Sequence, residues 1–429
     1  MTEGSSNLAR HDWDGADARR RLKRRYAANT RLKLYGLSAI VLALGLLAVL
    51  LGSLVMTGYK SFVQTHVTFD VYVNPENYDQ ANPFDSDYRT MIRDSFLKLF
   101  PEVPPGPQQR QLFDIPSTGA QLKLREIVAA DPSVVGSTIR ISVPVSDEFD
   151  QFQKGEGSRD AAEDARRVND RQIVWFDKLA ADGKISTPFN WTLFNSADSR
   201  FPELAGLKGA IVGTFYLLLV TFVLSFPIGI AAAIYLEEFA PKNKWTDIIE
   251  ININNLAAVP SIVFGLLALA VFLQTFGLPR SAPLVGGMTI ALMTLPTIII
   301  ATRAALKAVP PSIRDAALGV GASKHQVIIH HVLPLAMPGI LTGTIIGMAH
   351  AIGETAPLLL IGMNAFMTSA SVGILDPATT LPTQIYIWAD GPERGFVART
   401  SAAILVLLGF LMLMNGLAIY LRRRLERKW

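Results

Sequence analysis

The stretch SIRDAALGVGASKHQVIIHHVLPLAMPGILTGTIIGMAHAIGETAP, Ser312 to Pro357, starts as a polar loop and ends inside an apolar segment that carries a glutamate. Two spacings in its first half predict short helices: Ser312-Ile-Arg-Asp315 has that of a capping box, and Ser323-Lys-His-Gln326 repeats it. Gly319 and Gly321 between them permit a sharp turn, because glycine adopts positive φ without a Cβ clash. Ile313, Ala316, Ala317 and Val320 fall at i, i+3, i+4 and i+7 and give the first helix a small apolar face. Such a face either packs on the chain's own membrane bundle or receives another protein.

In the second half, Gly339, Gly343 and Gly347 form a tandem Gly-x-x-x-Gly run, which lets a second helix approach closely in lipid. On a continuous helix, His350, Glu354 and Pro357 would share an arc of about 80° with those glycines. A charged side chain near the bilayer centre costs about 2.5 to 3.5 kcal/mol, so Glu354 is expected to face a cavity or partner and to mark a pathway. His350, one turn away, is either a neutral imidazole bonded to Glu354 or a titrating member of the same site. With no further ligands clustered nearby, the pair does not suggest a metal site.

Half of the 429 residues are apolar and the mean hydropathy is +0.30, which points to several membrane spans rather than a soluble enzyme. Apolar runs are expected to span at Leu34 to Thr57, Leu207 to Leu236, Leu256 to Phe276, Leu284 to Thr302, Val332 to Met363 and Arg399 to Leu421. Prolines at 227, 260, 296, 334, 338 and 357 mark bends in or beside them. The first run is longer than the apolar core of a signal peptide and lacks a small-residue cleavage pattern, so it reads as a retained anchor. From Gly58 to Glu203 there are 16 Lys and Arg against 22 Asp and Glu, so one acidic, soluble-looking segment interrupts a basic membrane part. Within it, Val67 to Val73 and Thr138 to Val145 read as strands, Pro101 to Pro107 as a break, and Asp160 to Leu179 as a charged helix with a solvated face. There is no cysteine, hence no disulfide framework and no thiolate metal site.

Basic residues set the orientation. Arg19, Arg20, Arg21, Lys23, Arg24, Arg25, Arg31 and Lys33 precede the first span. Lys242, Lys244, Arg303, Lys307, Arg314 and Lys324, then Arg422, Arg423, Arg424, Arg427 and Lys428, fall on the same side of a six-span topology. By the positive-inside rule both termini are expected in the cytoplasm, with 58–206 across the membrane facing the periplasm. An apolar span follows the first basic cluster directly and no stacking aromatics interleave it, which argues against nucleic acid as a partner. The expected fold is therefore an all-α polytopic membrane protein of about six transmembrane helices with an inserted periplasmic α+β domain. Its parts are a basic segment 1–33, an anchor 34–57, the domain 58–206, a five-span core 207–421 with a loop at 305–334, and a basic tail 422–429.

Asp315-Ala316-Ala317, Gly321, His331 and Leu333-Pro334 resemble the EAA loop of ABC importer permeases, whose pattern is Glu-Ala-Ala, three residues, Gly, nine residues, Ile, one residue, Leu-Pro. Asp replaces Glu, keeping a negative charge near a helix N-terminus, and His331 replaces a branched apolar residue. The resemblance implies that this loop, with Asp315, Ala316, Ala317 and Gly321, docks on a separate ATP-binding subunit. Consistently, the chain has no phosphate-loop motif, since Gly319-Val-Gly-Ala-Ser-Lys324 has the wrong spacing. Gly353-Glu-Thr-Ala-Pro-Leu-Leu359 and Asn255-Leu-Ala-Ala-Val-Pro-Ser-Ile-Val-Phe-Gly265 are similar to segments of the phosphate importer permease family.

That likeness implies phosphate import by alternating access, with no catalysis and no cofactor in this chain. It also implies a homologous partner permease, two ATP-binding subunits and a periplasmic phosphate-binding protein. Glu354, His350, Thr355 and Arg303 are then the pathway candidates. Many members of the family carry arginine where this chain has His350, so the cation facing the anion is expected from the partner permease, from Arg303 or from a protonated His350. A sulfate or molybdate permease is the near alternative. A membrane sensor using 58–206 as its ligand domain is the distant one, disfavoured because no cytoplasmic segment is large enough for an output domain. The domain is expected to meet the binding protein.

Overall fold

A computed structural model of the chain describes residues 15–156, 162–163 and 166–425. Its first unit, ending at Met56, is one helix: α1, Ala16–Gly58, 43 residues that run from the basic cluster into the apolar stretch. The apolar side chains of α1 are exposed along its length, as suits a helix in lipid.

The second unit begins with an α+β domain. Strand β1, His66–Tyr72, is followed by helices α2 Tyr88–Leu97, α3 Pro107–Leu112 and α4 Gly119–Ala130. Then come β2 Thr138–Pro144, α5 Asp147–Gln153, α6 Asp170–Ala181, β3 Ile185–Ser186 and α7 Thr192–Asn195. The sheet is antiparallel in the order β2-β1-β3, with Val67 opposite Val143 and Phe69 opposite Ile141. Alternation along β1 sends Val67, Phe69 and Val71 into a core with Phe96, Phe100, Trp175 and Phe176.

Helix α6 begins later than expected, at Asp170, because Asn169 and Gln172 form a reciprocal capping box there, and the face opposite its charged residues buries Gln172, Trp175, Phe176 and Leu179. Residues 160, 161, 164 and 165 of the helix expected from Asp160 lie outside the described residues.

The membrane part comprises α8 Lys208–Ile234, α9 Lys244–Ala257, α10 Ser261–Ala268 and α11 Pro283–Lys307. It continues with α12 Pro311–Gly319, α13 Lys324–Gln326, α14 Leu333–Gly353, α15 Ala356–Leu360, α16 Leu381–Ala389 and α17 Gly395–Leu425. Helices α8, α11 and α14 pack side by side, α17 lies on α14 and α16, and α10 lies on α15. Five described helices are long and apolar enough to cross a membrane, six if a bent pair counts as one span.

Pro260 marks a bend as expected, and a sharp one. The run from Leu256 to Phe276 is two helices: α9 and α10 meet at 100°. The break falls at Pro260, which has no N–H to continue α9 and has φ −56° and ψ 138° as the cap of α10. The long run from Val332 to Met363 is also divided, its helix stopping at Gly353. By contrast Pro227, Pro296 and Pro338 sit inside continuous helices. Three π-helical turns, Tyr235–Phe239, Leu269–Thr275 and Val327–Val332, adjoin the ends of these helices.

The domain and the last helix are joined. Arg399, buried in the first turns of α17, donates to the Ala205 carbonyl at 2.5 Å, and Gly395 sits so close to the Asp147 carboxylate that a Cβ there would overlap it.

Candidate translocation and coupling sites

Helix α12 starts at Pro311 with no side-chain cap, so the box expected at Ser312 does not form. Arg314 anchors this turn instead. Its guanidinium donates to the carbonyls of Val309 (2.7 Å) and Leu306 (2.9 Å) and to Glu238 (2.8 Å). The second expected box does form: Ser323 and Gln326 cap α13 reciprocally. Of the two glycines, only Gly321 has positive φ, at 90°, and it makes the turn alone.

The apolar face of α12 is divided. Ala317 is buried against Leu306, Val309 and Val332, with Ile313 packed beside it. Asp315 and Ala316 are exposed, as is Leu318, and Val320 is 85 % exposed. One side of the helix therefore seals the chain's own bundle, while the other presents an apolar ridge with a carboxylate.

The glycine run on α14 packs within this chain. A Cβ at Gly339 would come within 2.7 Å of the Ala305 methyl, and one at Gly343 would overlap the Ala301 methyl, whereas Gly347 has ordinary contacts with Thr297 and Ile298. These pairs run in opposite directions along α14 and α11, so the helices are antiparallel and nearly touch through their backbones.

Beyond Gly353 the backbone opens. Glu354 caps α14 in an extended conformation, with φ −75° and ψ 120°, and Thr355 precedes the short α15. Glu354 and Pro357 are thus not on the helical face of the glycines, which corrects the arc drawn on a continuous helix. Glu354 nevertheless meets His350, whose Nε2 lies 3.1 Å from its Oε1; the histidine side chain is 68 % exposed and the glutamate 17 %. Thr355 is beside them, its hydroxyl donating weakly to the Gly353 carbonyl at 3.4 Å.

A second segment holds this turn. A Cβ at Gly265 on α10 would meet the Pro357 Cα at 2.7 Å, so α10, which holds the second half of the stretch 255–265, packs directly on α15. The two pieces of sequence that resembled one family from separate places thus touch at this contact.

Arg303 does not join it. Its guanidinium is paired with Glu250 at 2.5 Å and Glu237 at 3.3 Å, and Lys307 adds a further contact to Glu237. Level with Gly343 and Gly339 across the helix pair, it stands some nine residues, or roughly 14 Å along the axis, from His350. Its charge is neutralised near the end of the bundle that carries α12.

The sequence reading passed over a cluster of titratable groups in the α+β domain, with Asp150 and Glu203 buried and Asp147 half-buried. Asp147 is pushed up to about 7 by burial, and further by Glu203, Glu148 and Asp150, with Arg399 opposing. Glu203 is also raised by burial, although Ser117 donates to it at 2.6 Å. Lys154 pairs with Asp150 at 2.5 Å and donates to the Val63 carbonyl. Arg399 at the very start of an apolar run was the signal that could have pointed here.

This assembly of packed spans, a broken helix pair and a half-exposed loop helix is that of a transporter permease. A family model described as binding-protein-dependent transport system inner membrane component matches residues 225–427, and a domain of unknown function, DUF3333, matches residues 19–163. The phosphate transport system permease protein PstA 1 of Mycobacterium tuberculosis is 31% identical over 235 residues, covering 54% of this chain and 75% of the relative. PstA of Yersinia pestis is 33% identical, covering 50% and 71%. A probable ABC transporter permease protein of Bacillus subtilis, YqgI, is 29% identical, covering 47% and 73%. Among solved structures, the MetNI methionine ABC transporter gives a TM-score of 0.42 at 18% identity, covering 52% of this chain and 98% of that one. The chain belongs to the PstA family of ABC importer permeases.

Proposed function

We propose that this chain is the membrane permease subunit of an ATP-driven importer of inorganic phosphate. The observation that carries the reading is the junction of Gly265 with Pro357, which joins the two phosphate-permease-like segments and sets Glu354 with His350 at its edge. Being a permease, the chain works with an ATP-hydrolysing subunit and a substrate-binding protein. In full, the assembly would be this chain, a PstC-like permease, two PstB-like ATPases and a PstS-like phosphate-binding protein.

The membrane is the bacterial inner membrane in this reading, with α12 in the cytoplasm and the sheet domain in the periplasm. Basic groups support that orientation, because Lys307 at the foot of α11 and Lys324 above the Phe239 ring gather at the end of the bundle opposite Asp147. Arg422 on α17 also lies there, donating to Thr342 at 3.0 Å. Arg427 and Lys428, expected on the same side, lie outside the described residues.

The mechanism follows from the shapes. The ridge of Leu318 and Val320, with Asp315 and Ala316, would seat in the ATPase and Gly321 would turn the chain back. Because Ala317 and Arg314 tie α12 to the end of α11, movement of the ATPase passes to α11 and, through Gly339 and Gly343, to α14. That motion would switch access to the Glu354 turn. His350, open at the surface of the single chain, would face the pathway shared with the partner permease. The cation for the anion would come from that partner or from protonated His350, since Arg303 is held by carboxylates.

Labelled phosphate uptake at micromolar concentration, by cells lacking the chain and cells with it restored, tests the reading. Restored uptake that phosphate but neither sulfate nor molybdate competes away is the expected result. A restored ATPase complex without phosphate uptake would discard phosphate as cargo.

A further inference from the structure

The α+β domain contains a cleft of about 740 Å³ that the transport reading does not use. One wall is cationic: Arg89 and Arg93 are one turn apart on α2, and Arg110 projects from α3. Among the described residues, none of these three has a carboxylate within ion-pair distance, and Arg93 lies 5.2 Å over the Phe113 ring.

The lining also carries acids that are largely compensated. Glu393 is held by Arg167 at 3.1 Å, Glu203 takes the Ser117 hydroxyl, and burial pushes Asp114, Asp147 and Glu203 toward their neutral forms. Glu148 is the remaining acidic residue of the lining, so arginine dominates the field in the cleft.

Three guanidinium groups around one opening, two of them at i,i+4 spacing, suit an anion with several equivalent oxygens, since each can donate two parallel hydrogen bonds. The volume falls in the range of about 300 to 1,000 Å³ that holds small organic ligands, and Phe113 and Phe201 line it. We propose that this cleft binds a phosphate group, free or carried as a monoester, through Arg89, Arg93 and Arg110. The segment 200–203 at its rim lies a few residues before α8, so anion held there is retained on the domain beside the start of the membrane part.

The test is titration of the full chain in lipid nanodiscs with inorganic phosphate, glycerol 3-phosphate and sulfate. Wild type is expected to bind phosphate and the monoester ahead of sulfate, less tightly as salt is raised. Arg89 and Arg110 are exposed, so Arg89→Gln/Arg110→Gln should fold normally and bind about tenfold or more weakly, the share carried by charge-assisted hydrogen bonds. Glu148→Gln, which removes a like charge, should bind more tightly. Tighter binding of the monoester assigns the organic source and equal binding assigns the anion alone, both in support.

Wild type without phosphate binding, or a double variant that binds as wild type does, overturns the proposal. So does a flat titration accompanied by loss of substrate-binding-protein docking in the double variant, which would make the cleft a protein contact. Failed cellular uptake with a normal titration would remove the transport reading and leave the cleft standing.

Discussion

Replacing Asp147 with asparagine should make the protein more stable at alkaline pH than at acid pH, relative to wild type. In the folded chain the carboxyl titrates at about 7, against an ordinary value of 3.8, because it is buried beside Glu203, Glu148 and Asp150. A folded pKa above the unfolded one means that the native state holds the proton more tightly. Below 3.8 both states are protonated and nothing is lost, whereas above 7 the whole difference opposes folding. A little over three pKa units at about 1.36 kcal/mol each gives an order of magnitude of about 4 kcal/mol. Roughly 3 kcal/mol of that develops between about pH 5 and about pH 8.5.

Asp147→Asn keeps the neutral shape and removes this contribution, leaving only the parallel share of Glu203. Denaturant unfolding of both proteins in nanodiscs, followed by tryptophan fluorescence at the two pH values, measures it. The stability gap should widen by about 3 kcal/mol in favour of the variant as pH rises. An unchanged gap would refute the reasoning, because it would mean that Asp147 has the same affinity for a proton in both states.

Gly343→Leu should cost about 1 to 3 kcal/mol or prevent folding, because any Cβ there overlaps Ala301, whereas Gly409→Ala, with nothing within 4 Å, should be silent in the same unfolding assay. Val320→Asp should lower transport-coupled ATP hydrolysis through loss of ATPase docking, read by co-purification, with the permease itself still folded because this side chain is 85 % exposed. Glu354→Gln should reduce phosphate uptake at least tenfold without changing subunit assembly, and uptake equal to wild type would remove Glu354 from the pathway. His350→Arg should flatten the pH dependence of uptake, since arginine keeps its charge, and an unaltered profile would show that His350 does not titrate during transport.

Much of the architecture was legible because each part has a strong local signal. The strands at 66–72 and 138–144 alternate cleanly, and the long apolar runs near 207–236, 284–302 and 399–421 became helices. The bend at Pro260 was legible, but its size was not, nor was the end of the helix at Gly353. Hydropathy averages over a window and is blind to the direction of the backbone, so it cannot see that Pro260 turns the chain by 100° or that Glu354 is extended. The candidate turn was legible in part, since the His350 and Glu354 spacing of one helical turn brings them together even though the helix ends between them. Arg303 was misleading because its partners, Glu237 and Glu250, come from elements far away in sequence. For the same reason nothing in the sequence joins Arg89 and Arg93 to Arg110, which α2 and α3 bring to a common cleft.

The burial of Arg399 has a consequence for how such a chain can be taken apart. Its guanidinium is satisfied by the Ala205 carbonyl and lies in the field of Asp147, all supplied by the α+β domain, while Gly395 leaves room for that carboxylate. Excising 58–206 would take away that carbonyl, that carboxylate and the cover over Arg399 together, and leave the opening turns of α17 without the packing they have in the whole chain. A deletion phenotype would then report an unseated last helix as much as a missing domain. A transplant of the domain into another chain would have to carry positions 395 to 399 along, because the two parts meet face to face although nearly two hundred residues of sequence divide them.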